Sequence, residues 1–149
     1  MRMKSIDIFY ADDDEDDMMF FNDAVDQIKN SSKNQVFLHL HMNGESLIEN
    51  LKKNKSNNGV AFLDINMPLK NGFEFLKDIR NEPEIQNFPV IMYSTSSNPV
   101  NVEQCQKLGA DLYVVKPSNF NDLVRMISDF IQMDWKNHKS NPANFLYKR

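Results

Sequence analysis

From Ile6 to Val115 the chain alternates short, nearly uninterrupted apolar runs with longer amphipathic ones, the pattern of βα units wound around a parallel sheet. The apolar runs read as strands at Ile6 to Ala11, Val36 to Met42, Val60 to Leu63, Val90 to Tyr93 and Leu112 to Val115. Helical patterns follow from about Glu15 to Lys29, Glu45 to Lys53, Gly72 to Asn81, Val100 to Leu108 and Asn119 to Trp135. The third and fifth strands lack polar alternation, so both should be central or well buried, with helices on both faces. Phe120, Leu123, Val124, Ile127 and Ile131 recur at helical spacing and give the last helix one core-facing stripe. Met126, Phe130 and Met133 form a second stripe, which wider burial explains better than a partner surface. Gly44, Asn57-Asn58-Gly59 and Gly109 punctuate these elements, Gly109 in the position of a helix C-terminal cap. The expected architecture is a doubly wound α/β/α sandwich around five parallel strands.

At 149 residues the chain fits one domain, expected to have its core at about 5–135 and a polar C-terminal tail over 136–149 with no output domain. Lys136 to Pro142 are mostly polar, and the tail that ends in Phe145-Leu146-Tyr147 either packs these three apolar residues on the domain or a partner or is a frayed end; a frayed or loosely docked tail is the expectation. A formal net charge of −4 argues against general binding to nucleic acid or anionic membranes, which needs clustered positive charge. Cys105, the single cysteine, has no disulfide partner and belongs to no zinc-type spacing. Asp7 interrupts the first apolar residues, so no signal peptide is expected, and no stretch approaches the roughly 20 apolar residues of a membrane-spanning helix. A cytoplasmic location is the expectation.

In an open parallel sheet, ligands bind beyond the carboxyl ends of the strands. The first strand ends there in Asp12-Asp13, the third in Asp64, the fourth in Ser94-Thr95 and the fifth in Lys116-Pro117. Clustered carboxylates repel one another and call for a counter-ion, and oxygen ligands with room for water suit Mg²⁺, with Mn²⁺ as a substitute. Asp12, Asp13 and Asp64 bring three negative charges, which Mg²⁺ and Lys116 would together cancel. Such a site is suited to an incoming phosphoryl group.

The segment Asp64-Ile65-Asn66-Met67-Pro68-Leu69-Lys70-Asn71-Gly72 resembles the DxxMPxxxG signature of response-regulator receiver domains. Ala11-Asp12-Asp13 resembles the family's acidic pair. Val90 to Thr95 resembles the strand ending in its Ser/Thr switch residue, and Tyr113-Val114-Val115-Lys116-Pro117 its aromatic switch followed by Lys-Pro. The resemblance covers roughly Ile6 to Met133 and implies a flavodoxin-like, CheY-like fold with strand order 2-1-3-4-5. It further implies that Asp64 is the phosphoacceptor, receiving the group from a phosphohistidine on a sensor histidine kinase or histidine phosphotransfer protein. Asp13 and Asp64 would ligate Mg²⁺ directly, Asp12 through water, and Asn66 through its backbone carbonyl. Lys116 would pair with phosphoryl oxygens. Ser94 would donate its hydroxyl to the phosphoryl group, and Tyr113 would then move from a solvent-facing to a buried rotamer. The Lys116-Pro117 bond is usually cis in the family. A downstream protein partner, and a homodimer, would use the fourth helix, fifth strand and fifth helix.

For Asp14 to Asp17 the plain explanation is the preference for negative charge in a helix's first turn. His39, His41 and His138 lie at no metal-ligand spacing. The chain is expected to be a two-component signalling protein that catalyses only its own phosphorylation and dephosphorylation. Two alternatives are a receiver-like binding module without a phosphate cycle and an Mg²⁺-dependent phosphatase with Asp64 as nucleophile. The phosphatase would normally have a general acid two residues after the nucleophile, where this chain has Asn66.

Overall fold

The computed structural model describes residues 5–31, 35–54, 57–138 and 144–147. The strands β1 (Ser5–Ala11), β2 (Gln35–His41), β3 (Gly59–Asp64), β4 (Val90–Ser94) and β5 (Leu112–Val115) alternate with the helices α1 (Glu15–Ser31), α2 (Gly44–Asn54), α3 (Gly72–Asn81), α4 (Pro99–Lys107) and α5 (Phe120–Gln132). All neighbouring strands are parallel, in the expected order β2-β1-β3-β4-β5. No helix among the described residues is long and apolar enough to cross a membrane.

Apolar residues fill both faces of the sheet. Ile6, Ile8 and Tyr10 of β1 pack with Phe21, Val25 and Ile28 of α1 and Leu123, Ile127 and Phe130 of α5. Phe9 and Ala11, which point the other way, join Leu47 of α2, Leu76 and Ile79 of α3, and Cys105 of α4. β3 lies between β1 and β4 and is buried throughout, as its unbroken apolar sequence requires. β5 is an edge strand of this sheet, yet Leu112, Tyr113 and Val114 are buried.

The register aligns the carboxyl ends. Ala11 lies opposite Leu63, Asp64 opposite Tyr93, and Ser94 opposite Val115, so the polar residues that end or follow these strands arrive at one edge. At the other edge, Arg80 pairs with Asp111 at 2.9 Å and donates to the carbonyls of Phe88 and Gly109 at 2.7 and 2.8 Å. Asp111 also accepts the Val90 N–H at 2.8 Å, tying α3 to the starts of β4 and β5.

Two sequence expectations change. The last helix stops at Gln132, short of Trp135, because the indole N–H turns back to the Phe130 carbonyl at 2.8 Å and buries the ring beside Phe130. The segment expected to be frayed or loosely docked is packed over 144–147: Phe145 is buried and Leu146 forms a parallel bridge with Tyr113. Lys139 to Pro142, part of the same expected tail, lie outside the described residues. Met126 and Phe130 are fully buried and Met133 partly so, which bears out wider burial for the second stripe of α5. Gly109 closes α4 at a φ of 94°, a conformation that favours glycine.

Candidate functional site

Ligand oxygens of Asp12, Asp13 and Asp64 lie within 4.8 Å of one another at the carboxyl edge. They line an open cavity of about 520 Å³ together with Asp14, Asp17, Asn66, Thr95 and Lys116. Asp12 and Asp64 are buried and Asp13 is exposed, so the cluster reaches from the sheet to solvent.

Asp12 is held on both oxygens. Oδ1 accepts the Asp14 N–H at 3.0 Å, while Oδ2 accepts the Tyr10 hydroxyl at 2.5 Å and the Lys116 ammonium at 2.9 Å. Burial and the adjacent Asp12 charge push the Tyr10 phenol well above the ordinary tyrosine range, keeping it a donor. Lys116 also reaches Asp17 at 2.8 Å and Asp64 at 3.4 Å. Burial pushes the Lys116 ammonium down, but hydrogen bonds to Asp17 and Asp12 and the charge of Asp64 outweigh it and hold the group above its ordinary value. Burial drives the Asp64 carboxyl up, Lys116 opposes the rise and Asp12 adds to it, and the carboxyl settles at about 6.

The backbone around Asp64 explains the spacing of its signature. The Gly72 N–H donates to the Ile65 carbonyl at 2.9 Å, and a Cβ at residue 72 would lie 2.4 Å from the Asp64 carbonyl oxygen. Only glycine lets α3 start so close to the end of β3. Asn71 then caps the helix, its side chain accepting the Glu74 N–H at 3.0 Å while Glu74 receives the Asn71 N–H.

The site residues expected from sequence do not all share the cavity. Asp12, Asp13, Asp64, Asn66 and Lys116 line it, but Ser94 and Tyr113 do not, and Thr95 stands at the wall in place of Ser94. Ser94 is fully buried, and its hydroxyl accepts the Ser96 N–H at 3.1 Å. Tyr113 is buried as well, its hydroxyl donating to the Ser96 carbonyl at 2.6 Å. Its rotamer is thus the buried one that the family resemblance assigns to the phosphorylated state. The Lys116-Pro117 peptide, which the sequence left open, is trans, where family members usually have cis.

Two contributors were not expected from sequence. Asp14, immediately before α1, caps the helix by accepting the Asp16 and Asp17 N–H groups, whereas Asp17 in the first turn forms an ion pair with Lys116. Tyr10 is an ordinary apolar-run aromatic by sequence. Its position two residues before Asp12, on the same face of the strand, was the available signal for its hydroxyl's target.

The model of the response regulator receiver domain family matches residues 8–128. The chain is 32% identical over 95 residues to the chemotaxis protein CheV1 of Helicobacter pylori, a match covering 62% of this chain and 29% of that protein. It is 31% identical over 91 residues to the response regulator Rcp1 of a Synechocystis species, covering 61% of each. These sequence matches thus span less than two thirds of either relative. Among solved structures, the Mn²⁺-bound form of Rcp1 shares the fold at a TM-score of 0.69 and 22% identity, over 91% of this chain and 98% of that one. The phosphorylated cyanobacterial phytochrome response regulator RcpA matches at a TM-score of 0.72 and 25% identity, over 95% and 99%. With the family's model spanning most of the sequence and the acidic edge built as described, the chain belongs to the response regulator receiver domain family of two-component signalling.

Proposed function

We propose that this chain is a response regulator whose Asp64 carboxylate accepts a phosphoryl group from a phosphohistidine on a sensor histidine kinase or histidine phosphotransfer protein. The observation that carries this reading is the convergence of Asp12, Asp13, Asp64 and Lys116 on one open cavity. An Asp64 oxygen attacks phosphorus; the O–P bond forms as the P–N bond breaks, and the electron pair of that bond leaves with the imidazole. With its carboxyl at about 6, Asp64 is mostly ionised at neutral pH and so able to attack. Lys116, firmly protonated and already 3.4 Å from Asp64, pairs with phosphoryl oxygens as they arrive.

The all-oxygen donor set and the close carboxylates fit a hard divalent cation, Mg²⁺ or Mn²⁺, and the Mn²⁺-bound Rcp1 structure agrees with that choice. Asp13, Asp64 and the Asn66 carbonyl would hold it, with Asp12 acting through water. When bound, the ion supplies positive charge that offsets the carboxylates and the transferring phosphoryl group. Ser94 donates its hydroxyl proton to the phosphoryl group while still accepting from Ser96, and Tyr113 relays the state of that loop to the surface of α4, β5 and α5. That surface meets the downstream partner and is the homodimer contact if one forms.

One observation favours a second reading, a receiver-like binding module without a phosphate cycle: Tyr113 is already buried and tied to Ser96. Intact-mass measurement after incubation with acetyl phosphate separates the two. A single phosphoryl adduct that requires Mg²⁺ and is lost in Asp64→Asn is the expected result; no adduct, together with no binding of beryllofluoride, would favour the binding module.

A further inference from the structure

The outer edge of β5 is covered by a short segment of the same chain. The Tyr113 N–H donates to the Phe145 carbonyl at 3.0 Å and the Tyr147 N–H donates to the Tyr113 carbonyl at 2.9 Å, the ladder of a parallel strand one bridge long. Side chains fasten it on both faces of the sheet. Phe145 is buried in the cluster that includes Cys105, Ala110 and Tyr113, whereas the Tyr147 ring packs 4.8 Å from Phe130 on the opposite face and its hydroxyl donates to Asp129 at 2.6 Å. The segment thus straddles the sheet edge between α4 and α5. It also explains how a strand at the edge of the sheet can be as buried as β5 is.

The residue that receives the segment is the one that holds the switch loop. The Tyr113 backbone carries both ladder hydrogen bonds, while its phenol donates to the Ser96 carbonyl at 2.6 Å and the Ser96 N–H donates to the Ser94 hydroxyl oxygen at 3.1 Å. We infer that the β5 edge is a strand-accepting site filled by the chain's own Phe145–Tyr147, and that docking of this segment is coupled through Tyr113 to the Ser94–Ser96 loop. The coupling rests on the phosphoacceptor reading; the strand site does not. An exposed strand edge takes an extended peptide by backbone pairing, with side-chain pockets supplying selectivity, and here the pockets take Phe145 and Tyr147. Docking immobilises Tyr113, and Tyr113 holds the Ser96 carbonyl while the Ser94 hydroxyl accepts the Ser96 N–H, so the placement of Ser94 for an adduct on Asp64 depends on the segment. Coupling of this kind is reciprocal: whatever favours the adduct also tightens the segment. A partner approaching the α4, β5 and α5 surface meets the segment first.

The test compares the full native chain with Phe145→Ala/Tyr147→Ala and with Tyr147→Phe, which loses only the hydroxyl donated to Asp129. Amide hydrogen exchange and the affinity for beryllofluoride with Mg²⁺ are measured on each. In the double variant the Tyr113 amide should lose protection while β1 and β3 keep theirs, and beryllofluoride affinity should fall about fivefold or more. Loading the native chain with beryllofluoride should in turn deepen protection at Tyr113. Unchanged Tyr113 protection in a folded double variant overturns the strand site. Lost protection with an unchanged beryllofluoride affinity overturns the coupling. If the native chain binds no beryllofluoride, the phosphoacceptor reading and the coupling fall together, and exchange at Tyr113 still decides the strand site. Should the double variant unfold, exchange at Tyr113 in Tyr147→Phe decides: weaker protection supports the strand site, and full protection overturns it.

Discussion

The Nζ of Lys116 lies 2.8 Å from Oδ2 of Asp17, closer than the 3.4 Å that separates it from Asp64. The cation that neutralises the acidic edge is therefore shared with a first-turn residue of α1, which competes for it with the proposed nucleophile. Asp17→Asn should release Lys116 towards Asp64 and an incoming phosphoryl group. Asp17 is partly exposed, so an interaction worth about 0.2–1 kcal/mol is expected, and labelling by acetyl phosphate at saturating Mg²⁺ should accelerate by about fivefold at most. Initial labelling rates followed by intact mass check this; a slower variant would mean that Asp17 positions Lys116 for the reaction.

Tyr10→Phe removes one hydroxyl and leaves the ring packing of β1 in place. Asp12 is fully buried and accepts that hydroxyl and the Lys116 ammonium on one oxygen, so losing the donor should destabilise the metal-free chain by about 1–3 kcal/mol. Urea denaturation gives the value. A change within about 0.5 kcal/mol would show that Lys116 and the Asp14 N–H satisfy Asp12 without Tyr10.

Asp64 gives the metal-free protein a defined pH dependence. Its carboxyl is raised from 3.8 to about 6, so the ionised form weakens the fold; the penalty is complete above pH 6, is relieved as pH falls through 6, and is gone below the unfolded value. Asp64→Asn lacks the penalty. Without divalent metal the variant should exceed the native chain in stability by about 2–3 kcal/mol at pH 8, and the gap should close towards pH 4. Urea midpoints of both chains at the two pH values test it. A gap that does not change with pH would contradict the raised carboxyl.

The parts of this site that were legible in the sequence sit at strand ends. Asp12, Asp13, Asp64 and Lys116 could be placed on one edge because parallel strands deliver their C-termini to the same side, and the register does align them. What stayed hidden depends on side chains meeting across long sequence separations. The Asp17–Lys116 pair joins α1 to the end of β5, and nothing local distinguishes Asp17 from the other acidic residues of its turn. Phe145 and Tyr147 end a polar stretch, and only the folded edge of β5 provides the Tyr113 backbone and the Phe130 ring that hold them. The early end of α5 has the same origin, since no proline or glycine stands between Gln132 and Trp135 and the stop comes from the indole folding back on Phe130. Ser94 was placed at the correct strand end, but the direction of its hydroxyl follows from the conformation of the Ser96 loop.

In the proposed reaction Asp64 itself carries the phosphoryl group. This is tested most directly by labelling the native chain with acetyl phosphate and Mg²⁺, reducing the product with borohydride and mapping the peptides by mass. An acyl phosphate is reduced to an alcohol, so a single mass change located at residue 64 and absent without Mg²⁺ is expected. Modification at Asp12, Asp13 or a histidine, with residue 64 unchanged, would contradict it.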